Sequence, residues 1–145
     1  MGRAGPFGAR VWIRLDRLPV CPEVSLLAAE AAEAVGKHVH RGGTYVRMEG
    51  PQFSTRAESN YYRSLEVDVI GMTNLQEAKL AREAELCYAT VALVTDFDCW
   101  HDSAEEVSVG GILQVLRDNA AAARSMLAGL LRTIPAERNA CACGR

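Results

Sequence analysis

The stretch TYVRMEGPQFSTRAESNYYRSLEVDVIG, residues 44–71, decides the fold, because it is typical of a strand, a helix and a second strand in succession. Its β-branched and aromatic beginning, 44–48, predicts the first strand. Residues 55–58 form a Thr-x-x-Glu capping box, which predicts a helix over 56–65. Residues 67–70 are apolar at alternate positions and predict the second strand. Two short strands joined by a helix predict a parallel pair.

Further elements lie on both sides of this unit. Apolar residues at helical spacing predict a helix that begins at Pro22 and ends at Gly36. Residues 75–85 are rich in Ala, Leu, Glu, Lys and Arg, which predicts another helix. The segment 87–94, which is apolar on both of its alternate faces, predicts a third strand, buried between layers of helices.

A long amphipathic helix is predicted over 109–131, capped by Ser108 and ended by Pro135. The alternation of helices and strands predicts an α/β fold, in which a mainly parallel or mixed sheet is flanked by helices in three layers. Three strands are few for such a sheet, so we expect this chain to supply only part of one. Residues 1–19 show no helical or strand periodicity and predict no element.

The composition is that of one ordinary globular domain. The chain has 145 residues, of which 49% are apolar, and a net charge of −2 from 16 basic and 18 acidic side chains. This balance gives no electrostatic reason to expect a nucleic acid or an anionic membrane as partner. No apolar run approaches the roughly 20 residues that span a bilayer.

The cysteines indicate free thiols in a reducing, cytoplasmic setting. Their number is odd, they show no framework spacing, and residues 1–19 contain no apolar segment typical of a signal peptide. The pair Cys141-Ala-Cys143 could bind a metal ion. No second pair of ligands is adjacent to it in the sequence, so we expect no metal site.

A ligand site is expected where the predicted strands end. In open α/β sheets, ligands bind beyond the carboxyl ends of the strands. Three loops follow those ends, at 49–54, 71–74 and 95–100, and they combine aromatic rings, a thioether, hydroxyls and carboxylates. This mixture suits a flat, partly apolar ligand with a few polar edges, such as a nucleoside.

Each of these side chains also has a purely structural explanation. Asp96 and Asp98 could cap the next turn, as aspartates at strand ends often do. Phe53 and Met72 could belong to the core. Thr73 could be the N-cap of the following helix. The residues alone therefore predict a ligand-binding edge and no particular reaction.

The three loops also resemble, in order and spacing, those of one enzyme family. MEGPQFSTRAES, residues 48–59, is similar to the glycine-proline-phenylalanine segment of trimeric nucleoside phosphorylases. DVIGMTN, residues 68–74, resembles their ribose and phosphate loop. TDFDCW, residues 95–100, resembles the base-binding loop of the 5′-methylthioadenosine phosphorylase branch. The resemblance covers about 20–135.

The resemblance implies reversible phosphorolysis of a purine nucleoside, which yields a free purine and a ribose 1-phosphate or its 5-methylthio derivative. Inorganic phosphate would be the co-substrate, with no further cofactor, and the complete form would be a homotrimer without nucleic-acid or membrane partners. The chain would divide into an atypical lead, 1–19, the C-terminal portion of a nucleoside phosphorylase domain, 20–136, and a tail, 137–145.

The same resemblance implies a role for each site residue. Asp96 would be catalytic and face N7 and the 6-substituent of the purine, and Thr73 would bind phosphate. The remaining substrate-binding residues would be Phe53, Ser54, Met72, Asp98, Val109 and Ile112, the last two at the 5′ substituent. Since negative charge develops on the departing base, a carboxyl near N7 can supply a proton as a general acid does. Apolar walls would exclude water and favour phosphate as the nucleophile.

Two positions favour adenine-type substrates. Relatives that prefer 6-oxopurines resemble one another in having Glu and Asn where this chain has Ser54 and Asp96. A carboxylate accepts a hydrogen bond from a 6-amino group, whereas it meets a 6-oxo group acceptor to acceptor. Together with the resemblance to the 5′-methylthioadenosine phosphorylase branch, this implies 5′-methylthioadenosine as the substrate.

The chain also departs from the family's pattern. The family carries a glycine-rich phosphate turn, an arginine-histidine pair and the first strands of the sheet on its longer N-terminal side. Its histidine shortly before Cys-Pro has no counterpart in 11–15. Two other hypotheses follow: an inactive fragment that only binds nucleoside or associates with a full-length subunit, and a small flavodoxin-like binding domain.

Overall fold

The computed structural model describes residues 11–13, 19–101, 109–138 and 141–144. Its helices and strands are β1 (Val11–Ile13), α1 (Pro22–Ala34), β2 (Tyr45–Arg47), α2 (Arg56–Ser64), β3 (Val69–Gly71), α3 (Asn74–Glu83) and α4 (Val109–Thr133). All four predicted helices are confirmed to within a turn. Ser108, the predicted cap of α4, lies outside the described residues. The division of the chain at 1–19, 20–136 and 137–145 stays a prediction.

The three strands form one mixed sheet in the order β1-β2-β3. Strands β2 and β3 are parallel, with Tyr45 opposite Val69 and Arg47 opposite Gly71. A side chain at position 71 would collide with the hydroxyl of Tyr45, so only glycine fits there while that hydroxyl keeps its place. The parallel pair and the α/β class predicted from residues 44–71 are confirmed.

Helix α2, which joins the two parallel strands, begins at the predicted capping box. The Thr55 hydroxyl accepts a hydrogen bond from the backbone N–H of Glu58 at 3.3 Å. The Glu58 carboxylate accepts one from the backbone N–H of Thr55 at 2.9 Å. On its inner face, α2 buries Ser59 and Tyr62. The helix start is therefore fixed by the chain's own local chemistry.

Two sequence-based predictions about strands were wrong. Residues 87–94, predicted as a third strand, are not paired in a sheet within the described part of the chain. Their position depends on single contacts: the N–H of Cys21 donates to the carbonyl of Tyr88 at 2.6 Å. Conversely, the lead was predicted to hold no element, yet Val11–Ile13 pairs antiparallel with β2. Apolar patterning reports which side chains favour burial, whereas a strand also needs a partner edge.

Helices α1 and α4 pack together beside the extended segment 87–94. Ala28 of α1 and Met126 and Leu130 of α4 are buried. Between these helices and the segment lies an open apolar groove of 290 Å³, whose lining includes Val91 and Leu93. None of the helices in the described ranges is long and apolar enough to cross a bilayer.

We expect the 145-residue chain to self-associate at micromolar concentration, because this groove leaves apolar side chains in water. Replacing Leu93, which is half exposed there, by Lys should shift sedimentation velocity towards the monomer. Asn60→Lys is the matched control, since it adds the same charge at an exposed polar position of α2 and should leave the association as it is. A monomeric wild-type chain would contradict this expectation.

Candidate functional site

The first two predicted ligand loops leave the sheet side by side. The backbone N–H of Met48, just after β2, donates to the carbonyl of Gly71 at 2.9 Å. At Gly50 the backbone has φ +69° and passes so near Met72 that an added Cβ would lie 2.8 Å from the Met72 sulfur. Glycine is favoured at position 50 by its φ, which residues with a side chain rarely adopt.

Arg47 holds the second loop in place. Its Nε donates to the carbonyl of Met72 at 2.9 Å, and its guanidinium lies 3.4 Å from the carboxylate of Glu49. A half-buried cation thus connects the end of β2 to the residue that precedes Thr73. Sequence reasoning missed this positioning residue, because an arginine at a strand end has no distinctive pattern.

The third loop meets the first through Cys99. The Cys99 thiol donates to the carbonyl of Ser54 at 3.3 Å. Although Cys99 is exposed as a residue, desolvation of its sulfur, and next the charge of Asp98, raise the pKa of the thiol. The thiol therefore stays protonated at neutral pH and remains a donor. All three predicted loops converge at one edge of the sheet.

The residues expected to line a base and a ribose differ in their surroundings. Phe53 is 84% exposed, so the alternative that it belongs to the core is wrong. Met72 is half-buried against Gly50. The Ser54 hydroxyl donates to the sulfur of Met48 at 3.6 Å. These residues form the wall of the edge, with the Phe53 ring as its most accessible part.

Thr73 occupies the N-cap position of α3 but does not cap it. Its backbone has φ −116° and ψ −32°, a helical conformation, and its side chain makes no capping hydrogen bond. N-cap residues normally adopt an extended conformation that aims the hydroxyl at the helix N–H groups. The capping explanation for Thr73 is therefore wrong, and its exposed hydroxyl can face a ligand.

The two aspartates of the third loop have different environments. One carboxylate oxygen of Asp98 accepts from the N–H of Cys99 at 2.9 Å. The backbone carbonyl of Asp98 accepts from the N–H of His101 at 3.1 Å. Asp98 thus caps a turn, as the structural explanation supposed. Its other carboxylate oxygen is buried and has no hydrogen-bond partner among the described residues. Asp96 is exposed and makes no such turn contact in the described part of the chain.

An aromatic cluster surrounds the end of the third loop. The Phe97 ring, 71% exposed, stacks on His101 with centroids 4.7 Å apart. Trp100 meets Phe97 edge-on at 6.0 Å. The Arg63 guanidinium of α2 lies 3.7 Å from the Trp100 ring centroid. This cation–π contact attaches the third loop to α2, whereas the first two loops are held by the paired strands that precede them.

Asn74 is a further positioning residue that the sequence did not indicate. It is buried, and its side-chain oxygen accepts from the hydroxyls of Tyr88 at 2.7 Å and Thr90 at 2.8 Å. These bonds hold the segment that leads into the third loop. Val109 and Ile112 lie in the first turn of α4. Their side chains are outside the described structure, so their place at a 5′ pocket stays a prediction.

Four of the cysteines come together in a way that the sequence does not indicate. Cys21, Cys87, Cys141 and Cys143 place their sulfurs within 4.8 Å of one another. The second pair of ligands that is missing beside Cys141 and Cys143 in the sequence is thus supplied by distant segments. This group of four cysteines lies outside the three loops.

A parallel β-α-β unit with three polar loops at its carboxyl edge is the mark of an α/β ligand-binding enzyme domain. The chain belongs to the phosphorylase superfamily, whose family model matches residues 2–134. Membership of this family excludes the flavodoxin-like hypothesis.

Particular relatives carry one common name. S-methyl-5′-thioadenosine phosphorylase of Geobacter sulfurreducens is 57% identical over 125 residues, which are 86% of this chain and 43% of that protein. The enzyme of that name from Bradyrhizobium diazoefficiens is 56% identical over 126 residues, 87% of this chain and 43% of the relative. The chain thus spans less than half the length of these curated relatives.

Solved structures agree with this likeness. A methylthioadenosine phosphorylase from an antarctic soil metagenomic library superimposes with a TM-score of 0.80 and is 43% identical, covering 93% of this chain and 48% of that one. Methylthioadenosine phosphorylase from Schistosoma mansoni, solved in complex with adenine, gives 0.73 and 31%, covering 94% of this chain and 54% of that one. The nucleoside phosphorylase fold is therefore confirmed.

We predict that Thr73→Val leaves the free energy of unfolding unchanged to within about 0.5 kcal/mol, because no capping bond is lost. Thr55→Val is the matched control. It removes a hydroxyl that does cap a helix and should cost about 1 kcal/mol. Urea unfolding of both variants at low concentration makes the comparison. Equal losses would mean that Thr73 caps α3 after all.

Proposed function

We propose that this chain carries the base- and ribose-binding part of a phosphorylase that cleaves 5′-methylthioadenosine to adenine and 5-methylthioribose 1-phosphate. The convergence of three loops at one sheet edge carries the proposal, because their residue types match those of the phosphorylases they resemble. The relatives named for this reaction support the choice of substrate. The Schistosoma mansoni structure in complex with adenine supports the choice of base.

Asp96 would bind the base. Its exposed carboxylate can accept a hydrogen bond from a 6-amino group and share the proton that N7 needs as the base departs. The unpartnered oxygen of Asp98 is a second acceptor beside it, since a buried carboxylate oxygen without a partner gains most from a bound donor. The exposed ring of Phe53 would cover the base or ribose.

Thr73 would bind phosphate. Its hydroxyl is exposed at the start of α3, where the positive end of the helix dipole favours an anion. Inorganic phosphate then attacks the ribose carbon as the bond to the base breaks, so no further cofactor is needed. Met72 and the apolar wall would exclude water and keep hydrolysis from competing.

The complete form would be a cytoplasmic homotrimer of purine salvage, with only nucleoside and phosphate as ligands. The five free thiols support a reducing compartment. A second candidate is that the 145-residue chain acts by associating with a full-length subunit. The open apolar groove between α1, α4 and residues 87–94 favours this candidate.

We predict that the 145-residue chain alone does not turn over methylthioadenosine, because the family's remaining phosphate ligands lie on segments that these residues do not match. A chimera in which residues 20–135 replace the matching segment of the Geobacter sulfurreducens relative should restore turnover. Adenine release is the measurement, with the unmodified relative as the control. An inactive but folded chimera would contradict the proposed function.

We predict that Asp96→Asn in the chimera shifts preference from methylthioadenosine towards methylthioinosine. An amide can donate to a 6-oxo group. A purine edge that is buried against the wrong hydrogen-bond partner costs about 1–3 kcal/mol, so the ratio of kcat/KM values should move by roughly one to two powers of ten. Asp118→Asn is the matched control: this exposed aspartate of α4 lies outside the three loops, so the ratio should stay as it is. An unchanged ratio in Asp96→Asn would rule out Asp96 as the residue that reads the base.

A further inference from the structure

Four cysteines from three distant parts of the chain meet at one place, and we call them the cysteine cluster: Cys21, Cys87, Cys141 and Cys143. Each contributes one sulfur, and all four sulfurs lie within 4.8 Å of one another. Cys21 is 1% and Cys143 8% exposed, and the other two are half-buried. None of them belongs to the three ligand loops, so the cluster has no part in the proposed reaction.

Contacts other than those between the sulfurs bring the cluster together. Cys21 donates its backbone N–H to Tyr88 at 2.6 Å, which sets it beside Cys87. Arg82 donates to the carbonyl of Ala142, between the two cysteines of the tail, at 3.2 Å. Arg138 donates to the carbonyl of Glu85. The tail is thus attached to the end of α3, independently of any bond between sulfurs.

The spacing of the sulfurs suits a metal ion. With Zn–S bonds of about 2.3 Å, the sulfurs of a tetrahedral site are about 3.8 Å apart. The Cys87 and Cys141 sulfurs are 3.5 Å apart, and the outer limit of 4.8 Å requires an adjustment of about 1 Å. A disulfide requires about 2.05 Å. Four sulfur donors without an oxygen or a histidine are typical of structural zinc.

We propose that the cysteine cluster binds one Zn²⁺ ion in a closed tetrahedral site. Each thiol gives up its proton to solvent and binds as thiolate, and no electron is transferred. Because all four positions are taken by protein ligands, the ion has no place for a reacting water and acts as a structural cross-link. It fastens the tail to the start of α1 and to the segment that follows α3.

The neighbouring thiols shift one another's pKa values in opposite directions. Burial, and next the neighbouring Cys21, raise the pKa of the Cys143 thiol to about 12. The hydrogen bond with Cys141 raises the pKa of Cys87. The backbone N–H of Cys143, and next Cys87, lower the pKa of Cys141. A divalent cation would offset the raised pKa values of Cys87 and Cys143, because its charge stabilises a coordinated thiolate.

Metal analysis of the reduced 145-residue chain, purified with added zinc and then dialysed, tests the proposal. We expect about one zinc ion per chain, and cobalt in its place should give the intense visible bands of a tetrahedral thiolate site. Cys143→Ser and Cys21→Ser should reduce bound zinc to nearly none. Cys99→Ser is the matched control, because this exposed cysteine lies outside the cluster and its loss should leave one ion bound.

Alkylation of the wild-type chain keeps the test decisive if those serine variants fail to fold. Mass spectrometry should find the four cluster thiols protected with zinc and modified after chelation, with Cys99 modified in both states. Reduced protein that binds no zinc would overturn the proposal. So would bound iron and sulfide, or a cluster found only as disulfides. None of these outcomes depends on the proposed phosphorolysis.

Discussion

The parallel ladder between β2 and β3 is the constraint on which the rest of the structure depends. At one end of it, the carboxylate of Asp68 accepts from the N–H of Thr44 at 2.7 Å. At the other, the N–H of Met48 donates to Gly71 at 2.9 Å. The two strands therefore begin and end together, and their loops must leave side by side. A slip by one residue would reverse the face of every side chain in the shifted strand.

The third loop reaches the same edge by other means. It has no ladder of its own in the described residues, and side chains hold it instead: Asn74 through Tyr88 and Thr90, Arg63 through Trp100, and Cys99 through Ser54. Such bonds fix a few points and leave the backbone between them unpaired. The third loop is thus less tightly determined than the first two, because backbone that is not paired in a ladder opens more readily.

Local chemistry decides how much of this could be predicted from the sequence. The capping box at Thr55, Pro22 at a helix start and the apolar spacing of α4 act through near neighbours, so these elements were predicted correctly. Strand β1 and the segment 87–94 could not be, because pairing depends on which edge lies nearby in space. The loops could be predicted from their order along the chain. The positioning roles of Arg47 and Asn74 could not, because they depend on contacts that exist only between folded strands and helices. The cysteine cluster is the extreme case, since the sequence separates its members.

The close contact between Gly71 and Tyr45 has a consequence for how such chains diverge. No side chain fits at position 71 while the hydroxyl of Tyr45 lies over it, and the ladder, in which Tyr45 is opposite Val69 and Arg47 opposite Gly71, keeps the two positions close together. Position 71 can accept a side chain only if Tyr45 changes first or at the same time, whereas Tyr45 can be shortened while Gly71 stays glycine. Over evolutionary time, what position 71 can become therefore depends on what stands at position 45, although 25 intervening residues separate the two in the sequence.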